Sequence, residues 1–469
     1  MSASRRLALR RLCAVGRTSP TALVVEPAEG DPPVGGGAVG DRRARAQADA
    51  LVRGLLRRLG VVDAFLARDN LFRFNDTPDP IKWVLRLAAY EWMYQAGAPD
   101  YAIGQQAVEL GRLAGGAGAA RFINAMMRRL IPRLPRGPAA LAADRYLAQM
   151  PETARLSVPP EVLREFREAY GAAEGEAVLA ALAERPAPVW LRANLLKSTP
   201  EEVVEALRGE GVEAAADEGL PWALRWLGGE KLPWETDAFA RGLFTIQDLG
   251  AMTATLATGA QTGERVLDAC AAPGGKTGQL WEMIGGQGRL VALEVDAERR
   301  AVLAATLARL YGAGCGIEVV EFNEVAHFAV QPQYNQCFDL VVVDAPCQGL
   351  GLLRRHPEIR WDGRLGRREP VLALQRGLLA AAARCVRPGG RLVWITCSPT
   401  QAENEAMLGE FRRGHEGWVL EDPLVGLPPS CRGRIQVSGE GVARTRPDRA
   451  DMDGFAWGCL RAPDRQYFE

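Results

Sequence analysis

The chain of 469 residues predicts a multidomain protein: an all-α bundle at the front, a small α+β module in the middle and a Rossmann-like α/β domain behind. Three observations carry this. Apolar residues recur at helical spacing through the first section, with no strand pattern between them. A single alternating run, PVWLRANLLK at 188–197, then introduces a strand before a capped helix. From about residue 240, near-continuous apolar strands alternate with helical stretches, as in a parallel sheet covered on both faces.

The elements follow in order. Residues 3–15 read as an amphipathic helix, because arginines interrupt an apolar stretch that a secretory signal would keep clear. The segment EPAEGDPPVGGGAVGD (26–41) is a Pro/Gly-rich loop with too little apolar content to order itself. Ala44, Ala48, Leu51, Val52, Leu55, Leu56 and Leu59 mark a helix over 44–67. Further helices are expected at 79–96, 101–115 and 117–132, broken by Pro99 and by the glycines at 115, 116 and 118. The bundle ends near Arg133, where PRLPRGPAA begins a linker.

In the middle module Thr199 is an N-cap, Pro200 takes the first helical position and Glu202 completes a capping box. That helix stops at glycine, and GVEA restarts an extended segment. Strands are then expected at 265–270, 289–295, 316–322, 338–345 and 391–397. A helix over 371–386 is stopped by Arg387-Pro388-Gly389-Gly390. The domain limits implied are 1–140, 141–240 and 241–469.

Composition bounds the class. Hydrophobic content of 48% and charged content of 24% describe an ordinary globular chain, and no apolar run approaches the roughly 20 residues that span a bilayer. Nine cysteines without a CxxC pair argue for a reduced, cytoplasmic protein, with no disulfide framework and no metal site. Most of them, Cys270, Cys315, Cys337, Cys385 and Cys459 included, read as small buried hydrophobes. A monomer without membrane attachment is expected. Net charge is zero, yet residues 1–140 hold 21 Lys and Arg against 12 Asp and Glu. A basic front section suits a polyanion.

The chemistry concentrates at strand ends, which converge on one crevice in an open α/β sheet. DACAAPGGKT (268–277) is not a phosphate-binding P-loop, since that motif needs glycine where Cys270 stands. Nor does it have the spacing of a pyrophosphate turn. It offers the acid Asp268 and a glycine turn entering a helix, whose amides near Gly274 and Gly275 could face a small anion. Glu294 ends the next strand, 26 residues later, where an acid suits vicinal ribose hydroxyls. Asp296, just beyond, reads as a helix cap. Asn323 follows the third strand and could meet an adenine edge, or could be a turn residue. Asp344 ends the fourth. An adenosine cofactor without pyrophosphate fits this set, which favours S-adenosyl-L-methionine over NAD.

Two thiols complete the crevice: Cys347 in VVVDAPCQG (341–349) and Cys397 in RLVWITCSP (391–399). Cytosine C5 is too weak a nucleophile to take a methyl group unaided. A thiolate adding at C6 makes C5 enamine-like, and a base must later remove the C5 proton so that the thiolate can leave. One nucleophile, one base and one acid near N3 are the minimum.

RVLDACAAPGGKT, VALEVDAERR, DAPCQGLGLLRRHPEIRW and WITCSPTQAENE resemble the Sun-type cytosine-C5 RNA methyltransferases. LFTIQDLGAM (243–252) and DMDGFAWGCLR (451–461) extend the likeness, and 81–129 resembles the NusB-like RNA-binding bundle fused in front of the bacterial enzyme that acts on small-subunit ribosomal RNA. The resemblance covers nearly the whole chain except the 26–41 loop. It implies a C-terminal class I methyltransferase domain with Cys397 as the nucleophile on C6 and Cys347 as the thiol needed for proton removal and product release. Asp344 would bond the base near N3 and N4, with Lys276 beside it. Ala271, Pro273, Gly274, Gly275, Lys276, Glu294, Arg299, Asn323 and Asp344 would surround the cofactor.

The sequence departs from the family pattern at Gln348, where Ser is usual, and at Glu294 and Asn323, where Asp is commoner. None of these removes an essential group. For RNA, Arg354, Arg355 and His356 are expected at the mouth of the site. Arg5, Arg6, Arg10, Arg11, Arg121, Arg128 and Arg129 are expected to supply a phosphate-binding face. Rival readings are the same chemistry on transfer RNA or another ribosomal site, and a non-catalytic ribosome-assembly factor. A DNA cytosine methyltransferase would need only the Pro-Cys thiol, and the second cysteine speaks against it.

Overall fold

The structure, a computed structural model, describes residues 2–14, 39–68, 73–95, 97, 99–184, 186–322 and 325–464. Residues 26–38 of the Pro/Gly-rich loop and the adenine candidate Asn323 lie outside the described residues. The chain forms two compact units, residues 1–164 with 353–364, and residues 165–352 with 365–469.

The first unit is helical. It is built on α1 (Ala3–Ala14), α2 (Val39–Ala67), α3 (Asp79–Tyr94) and α4 (Asp100–Leu130). The glycine cluster acts as anticipated, for Gly115 and Gly116 leave helical geometry and split α4 at a kink. Leu55, Val62, Val84, Leu85, Leu87 and Ile123 are fully buried at its centre. Where a linker was expected after Arg133, α5 (Gly137–Ala142), α6 (Arg145–Gln149) and α7 (Glu152–Arg155) continue the unit. Leu141 and Met150 pack into the same core, which a linker would not do.

Two of the expected phosphate contacts are corrected here. Arg5 grips the buried Glu91 carboxylate through its Nε at 2.8 and 3.0 Å, so its charge is used inside the bundle. Arg354 is 4% exposed and belongs to this unit, its carbonyl accepting from Arg57 Nε at 3.2 Å. The whole segment 353–364 is anchored here. Trp361 Nε1 donates to Leu56 O at 2.9 Å, and buried Arg360 reaches the Leu156 and Ser157 carbonyls. Arg6, Arg10, Arg121, Arg128 and Arg129 are exposed.

In the second unit, α8 (Pro160–Tyr170, which the unit boundary cuts) and α9 (Ala172–Glu184) lead into the module. Its strands are β1 (Trp190–Ala193), β2 (Val212–Ala216), β3 (Ala223–Gly229) and β4 (Phe244–Ile246), in the antiparallel order β2-β3-β1-β4. Between β1 and β2 lies α10 (Pro200–Gly209). Its capping box is formed, with Glu202 N–H on Thr199 Oγ1 at 3.2 Å and Thr199 N–H on Glu202 Oε2 at 2.8 Å. The short α11 (Asp237–Ala240) precedes β4, and α12 (Leu249–Leu256) leads on to the main sheet.

That sheet has nine strands in the order β11-β12-β13-β9-β8-β5-β6-β7, with β10 also pairing β13. The parallel half is β5 (Arg265–Asp268), β6 (Arg289–Leu293), β7 (Ile317–Val320), β8 (Phe338–Asp344) and β9 (Val386–Thr396). Helices α13 (Gly275–Met283), α14 (Ala297–Tyr311), α15 (Val325–Ala329) and α16 (Glu369–Cys385) connect them. Val341 and Val343 of β8 pack into one apolar cluster, Leu340 and Val342 into another, so both faces are covered.

After α17 (Glu405–Gly414) come β10 (Val419–Glu421), α18 (Pro429–Arg432), β11 (Ile435–Val437), β12 (Ala443–Thr445) and β13 (Ala456–Arg461), which add antiparallel strands beside β9. The Arg387-Pro388-Gly389-Gly390 signal does not separate helix from strand. Val386 already pairs Phe338, and the ladder resumes at Arg391 opposite Leu340, leaving these four residues as a bulge in β9.

Gly351 ties the loop after Cys347 into this sheet. Its N–H donates to Cys397 O and its carbonyl accepts from Gly454 N–H, both at 2.9 Å. A Cβ there would overlap the Gly454 carbonyl, a backbone atom with no room to yield. Gly351→Ala is expected to destabilise the second unit by about 1–3 kcal/mol, the usual penalty of overpacking, read as a lowered urea midpoint. An unchanged midpoint would show that this loop relaxes freely.

Candidate active site

The order of the parallel strands reverses at β5, with β8 on one side and β6 on the other, and the crevice lies beyond their carboxyl ends. A cavity of about 610 Å³ opens there, within the size range of small-molecule sites. Of the residues singled out in the sequence, Cys270, Glu294, Arg299, Asp344, Cys347 and Cys397 line it.

Cys347 and Cys397 emerge from neighbouring strands, and their Sγ atoms stand 3.1 Å apart as free thiols. The Cys397 sulfur, burial and the Glu403 carboxylate, in that order, hold the Cys347 thiol well above its ordinary range. Lys276, on the first turn of α13, donates to Asp344 Oδ2 at 2.7 Å and lies 4.9 Å from the Phe455 ring centre. Burial alone would lower the Lys276 ammonium, but the charge and hydrogen bond of Asp344, with a smaller contribution from Cys397, keep it raised.

Glu294 is 3% exposed. Its Oε1 accepts from Asp296 N–H at 3.1 Å, while Oε2 has no hydrogen bond among the described residues and faces Arg299 Nη2 at 3.4 Å. Arg299 also donates to Ala272 O at 3.1 Å. Asp296 caps α14 through Arg299 N–H at 2.8 Å, as the sequence suggested.

The glycine turn is arranged differently from expectation. Ala271, Pro273, Gly274 and Gly275 form the entry to α13 but do not line the cavity. Gly274 takes a left-handed φ of 104°, and its N–H is spent on Ala271 O at 2.9 Å rather than offered to an anion. Asp268 is also turned inward, accepting from Thr277 Oγ1 at 2.7 Å. Neither Arg354 nor Arg355 lines the cavity, and Arg355 is half-buried.

Sequence reasoning missed the cavity's apolar walls, Val295, Val325, Leu374 and Leu378. Leu374 and Leu378 are one turn apart on α16, a spacing that is legible, but core packing explains such pairs equally well. It also missed Glu403, which sits inside a quoted motif without an assigned role.

Family models match the chain in three stretches: the NusB family over residues 2–132, an RsmF/B-like ferredoxin-like domain over 159–229, and the 16S rRNA methyltransferase RsmB/F over 255–461. The chain is 30% identical to the probable ribosomal RNA small subunit methyltransferase B of Synechocystis sp., covering 86% of this chain and 88% of that one. It is 32% identical to the ribosomal RNA small subunit methyltransferase B of Xylella fastidiosa, covering 85% and 90% respectively. The fold is similar to the crystal structure of NSun6 from Pyrococcus horikoshii with SFG, at 20% identity and a TM-score of 0.55 over 66% of this chain and 99% of that one.

Asp268 supplies a pH test. Burial first, then the nearby Asp344 charge, raise its carboxyl from the usual 3.8 to about 6. Between those values the folded protein holds a proton that the unfolded chain has released, so stability declines as pH rises through the window. Asp268→Asn should remove this contribution and flatten the fall in melting temperature between pH 4 and 6. An identical slope in the variant would mean that Asp268 titrates normally.

Proposed function

The chain belongs to the ribosomal RNA small subunit methyltransferase B family, and on that premise we propose that it transfers a methyl group from S-adenosylmethionine to C5 of a cytosine in small-subunit ribosomal RNA, through a covalent bond from Cys397 to C6. The observation that carries this reading is the thiol pair, two free sulfurs 3.1 Å apart in one cavity beside a lysine–aspartate ion pair. A methyl acceptor that is already nucleophilic needs no thiol, and a single covalent attack needs only one.

The cavity fits the donor at one point: Glu294 presents a buried carboxylate oxygen without a hydrogen-bond donor among the described residues, which suits ribose hydroxyls. Arg299 Nη2 stands 3.4 Å from that same oxygen, and Val295 and Leu374 offer apolar walls. When bound, S-adenosylmethionine supplies an electrophilic methyl group on a sulfonium.

The chain's own residues do the rest. Cys397 as thiolate adds to C6; the sulfur–carbon bond forms, and the π pair of C5=C6 moves onto C5. Asp344 would accept from the N4 amino group at the N3–N4 edge, and the Lys276 ammonium that holds it there would offset the negative charge that accumulates on the ring. Once C5 carries the methyl group, the Cys347 sulfur, its own proton given up to solvent, takes the C5 proton, C5=C6 re-forms, and the C6 bond breaks with its pair returning to Cys397. The cytosine must leave any stack to enter such a crevice, so an unpaired nucleotide is the least costly target. The exposed Arg6, Arg10, Arg121, Arg128 and Arg129 of the helical unit would bind phosphates.

Removing the ribose acid should weaken the cofactor. By calorimetry, Glu294→Ala is expected to lower S-adenosylmethionine affinity roughly 10- to 150-fold, the loss of a charge-assisted hydrogen bond of about 1.5–3 kcal/mol. Tight ATP binding with no response to the methyl donor would remove the site assignment.

The thiols separate by phenotype. Cys397→Ala is expected to abolish methylation and to form no protein–RNA adduct. Cys347→Ala should still attack but stall at elimination, leaving a covalent species that survives a denaturing gel. An adduct accumulating in Cys397→Ala would exchange the two roles. Full methylation by both variants would eliminate covalent catalysis.

A further inference from the structure

Two identical side chains in contact must be made unequal if one is to attack and the other to assist, and Lys276 acts from the Cys397 side only. The difference lies on the far side of Cys347. Glu403, 1% exposed, sits in the loop that follows Cys397. Its Oε1 accepts from the backbone N–H of Gln348, the residue after Cys347, at 2.8 Å, and from Gln375 Nε2 at 3.1 Å. Gln375 Nε2 also donates to the carbonyl of Pro346, the residue before Cys347, at 2.7 Å. Glu403 Oε2 accepts from Thr400 Oγ1 at 2.9 Å.

The carboxylate therefore holds the Cys347 loop directly on one side of the cysteine and through Gln375 on the other. It is buried with three neutral donors and with no cation in salt-bridge reach among the described residues. The charge of a buried carboxylate is little screened by water. Its field falls on its neighbours.

We propose that Glu403 is the positioning residue that makes the two thiols unequal: it fixes the Cys347 loop and holds the proton of the contacting pair on Cys347, so that Cys397 is the sulfur that attacks. The inference rests on the covalent reading above and assigns its asymmetry to a residue with no part in the chemistry itself. Among the described residues, the titratable groups that act most on Cys347 are Cys397, at the end of β9, and Glu403, in the loop beyond it. Both disfavour a thiolate on Cys347. Lys276, from α13, faces Cys397 and Asp344 instead and favours negative charge on that side. The 3.1 Å contact is then a hydrogen bond donated by Cys347 Sγ to Cys397 Sγ. When Cys397 bonds carbon it ceases to be an anion. One of the two groups holding the proton on Cys347 is thereby lost, at the stage when Cys347 is needed.

Site-resolved alkylation tests this without RNA or cofactor, so the result is independent of whether the substrate is cytosine. The intact protein is treated with iodoacetamide over a pH series, and each cysteine is quantified by mass spectrometry. In the wild type, Cys397 should react ahead of Cys347 at pH 7.5; the reverse order overturns the proposal and requires no variant to fold. The second arm uses Cys397→Ser, with and without Glu403→Gln, an isosteric change that keeps an acceptor for the Gln348 N–H. Cys347 alkylation at pH 7.5 should accelerate about tenfold in Glu403→Gln, equivalent to one pKa unit. An equal rate in a variant with unchanged circular dichroism would reduce Glu403 to a packing role and sink the proposal.

Discussion

The site depends on the register between two parallel strands at the middle of the sheet. Asp344 of β8 lies opposite Ile395 of β9, and the Ala345 N–H continues the ladder to the Ile395 carbonyl at 2.9 Å. Both chains therefore leave the sheet at the same height, with Cys347 three residues beyond Asp344 and Cys397 two beyond Ile395. A one-residue slip would send one cysteine to the opposite face of the sheet. The slip is blocked from both sides, because Val341, Val343 and Trp394 fill one apolar cluster while Val342, Val393 and Ile395 fill the other. Sulfur contact thus follows from strand packing, and the loops only preserve what the ladder sets.

Electrostatics then divides what geometry has brought together. Asp344 neutralises much of the Lys276 charge at 2.7 Å, so the lysine cannot act on the sulfurs as a free cation would. It stands at the positive end of α13, which supplements the charge on the Cys397 side. Glu403 works from the other side with the opposite sign. Small contributions of opposite sense across a 3.1 Å contact are enough to decide where one proton resides, since each pKa unit is only about 1.4 kcal/mol. The lysine holds Asp344 as well, so one cation both orients the acid and sets the sulfur environment.

Much of the fold could be read locally because its signals are local. The Thr199–Glu202 capping box and the break at Gly115 and Gly116 arise from interactions within a few residues, and each of the five parallel strands is marked by its own short apolar run although its pairing is long-range. Misreadings came where distant packing overrode a local cue. Arg387-Pro388-Gly389-Gly390 looks like a stop, yet pairing with β8 on both sides absorbs it as a bulge. Residues after Arg133 look like a linker, but Leu141 and Met150 find a core. In the site, Cys347, Cys397, Asp344 and Glu294 were legible because strand ends converge. Glu403 was not, because its role consists of bonds to Gln348 and Gln375, both far away in the sequence. Arg5 and Arg354 failed for the same reason: charge counts cannot see Glu91 or the burial of a loop.

That buried loop also changes what a domain boundary means in this chain. After Cys347 the polypeptide stays with the catalytic unit as far as Leu352, contributes residues 353–364 to the helical unit, and returns at Leu365. Leu353 is fully buried there, and Ile359 and Arg360 nearly so, with Trp361 hydrogen-bonded to α2. Cutting the chain after the helical section would therefore leave a segment of the catalytic half without the core that covers it. Exposed apolar side chains and a desolvated arginine released into water would alter that segment, which begins only six residues after Cys347. The chain consequently crosses between the two units more than once. A substitution on the exposed arginines examines RNA binding more cleanly than a deletion does, because it leaves the burial of 353–364 intact.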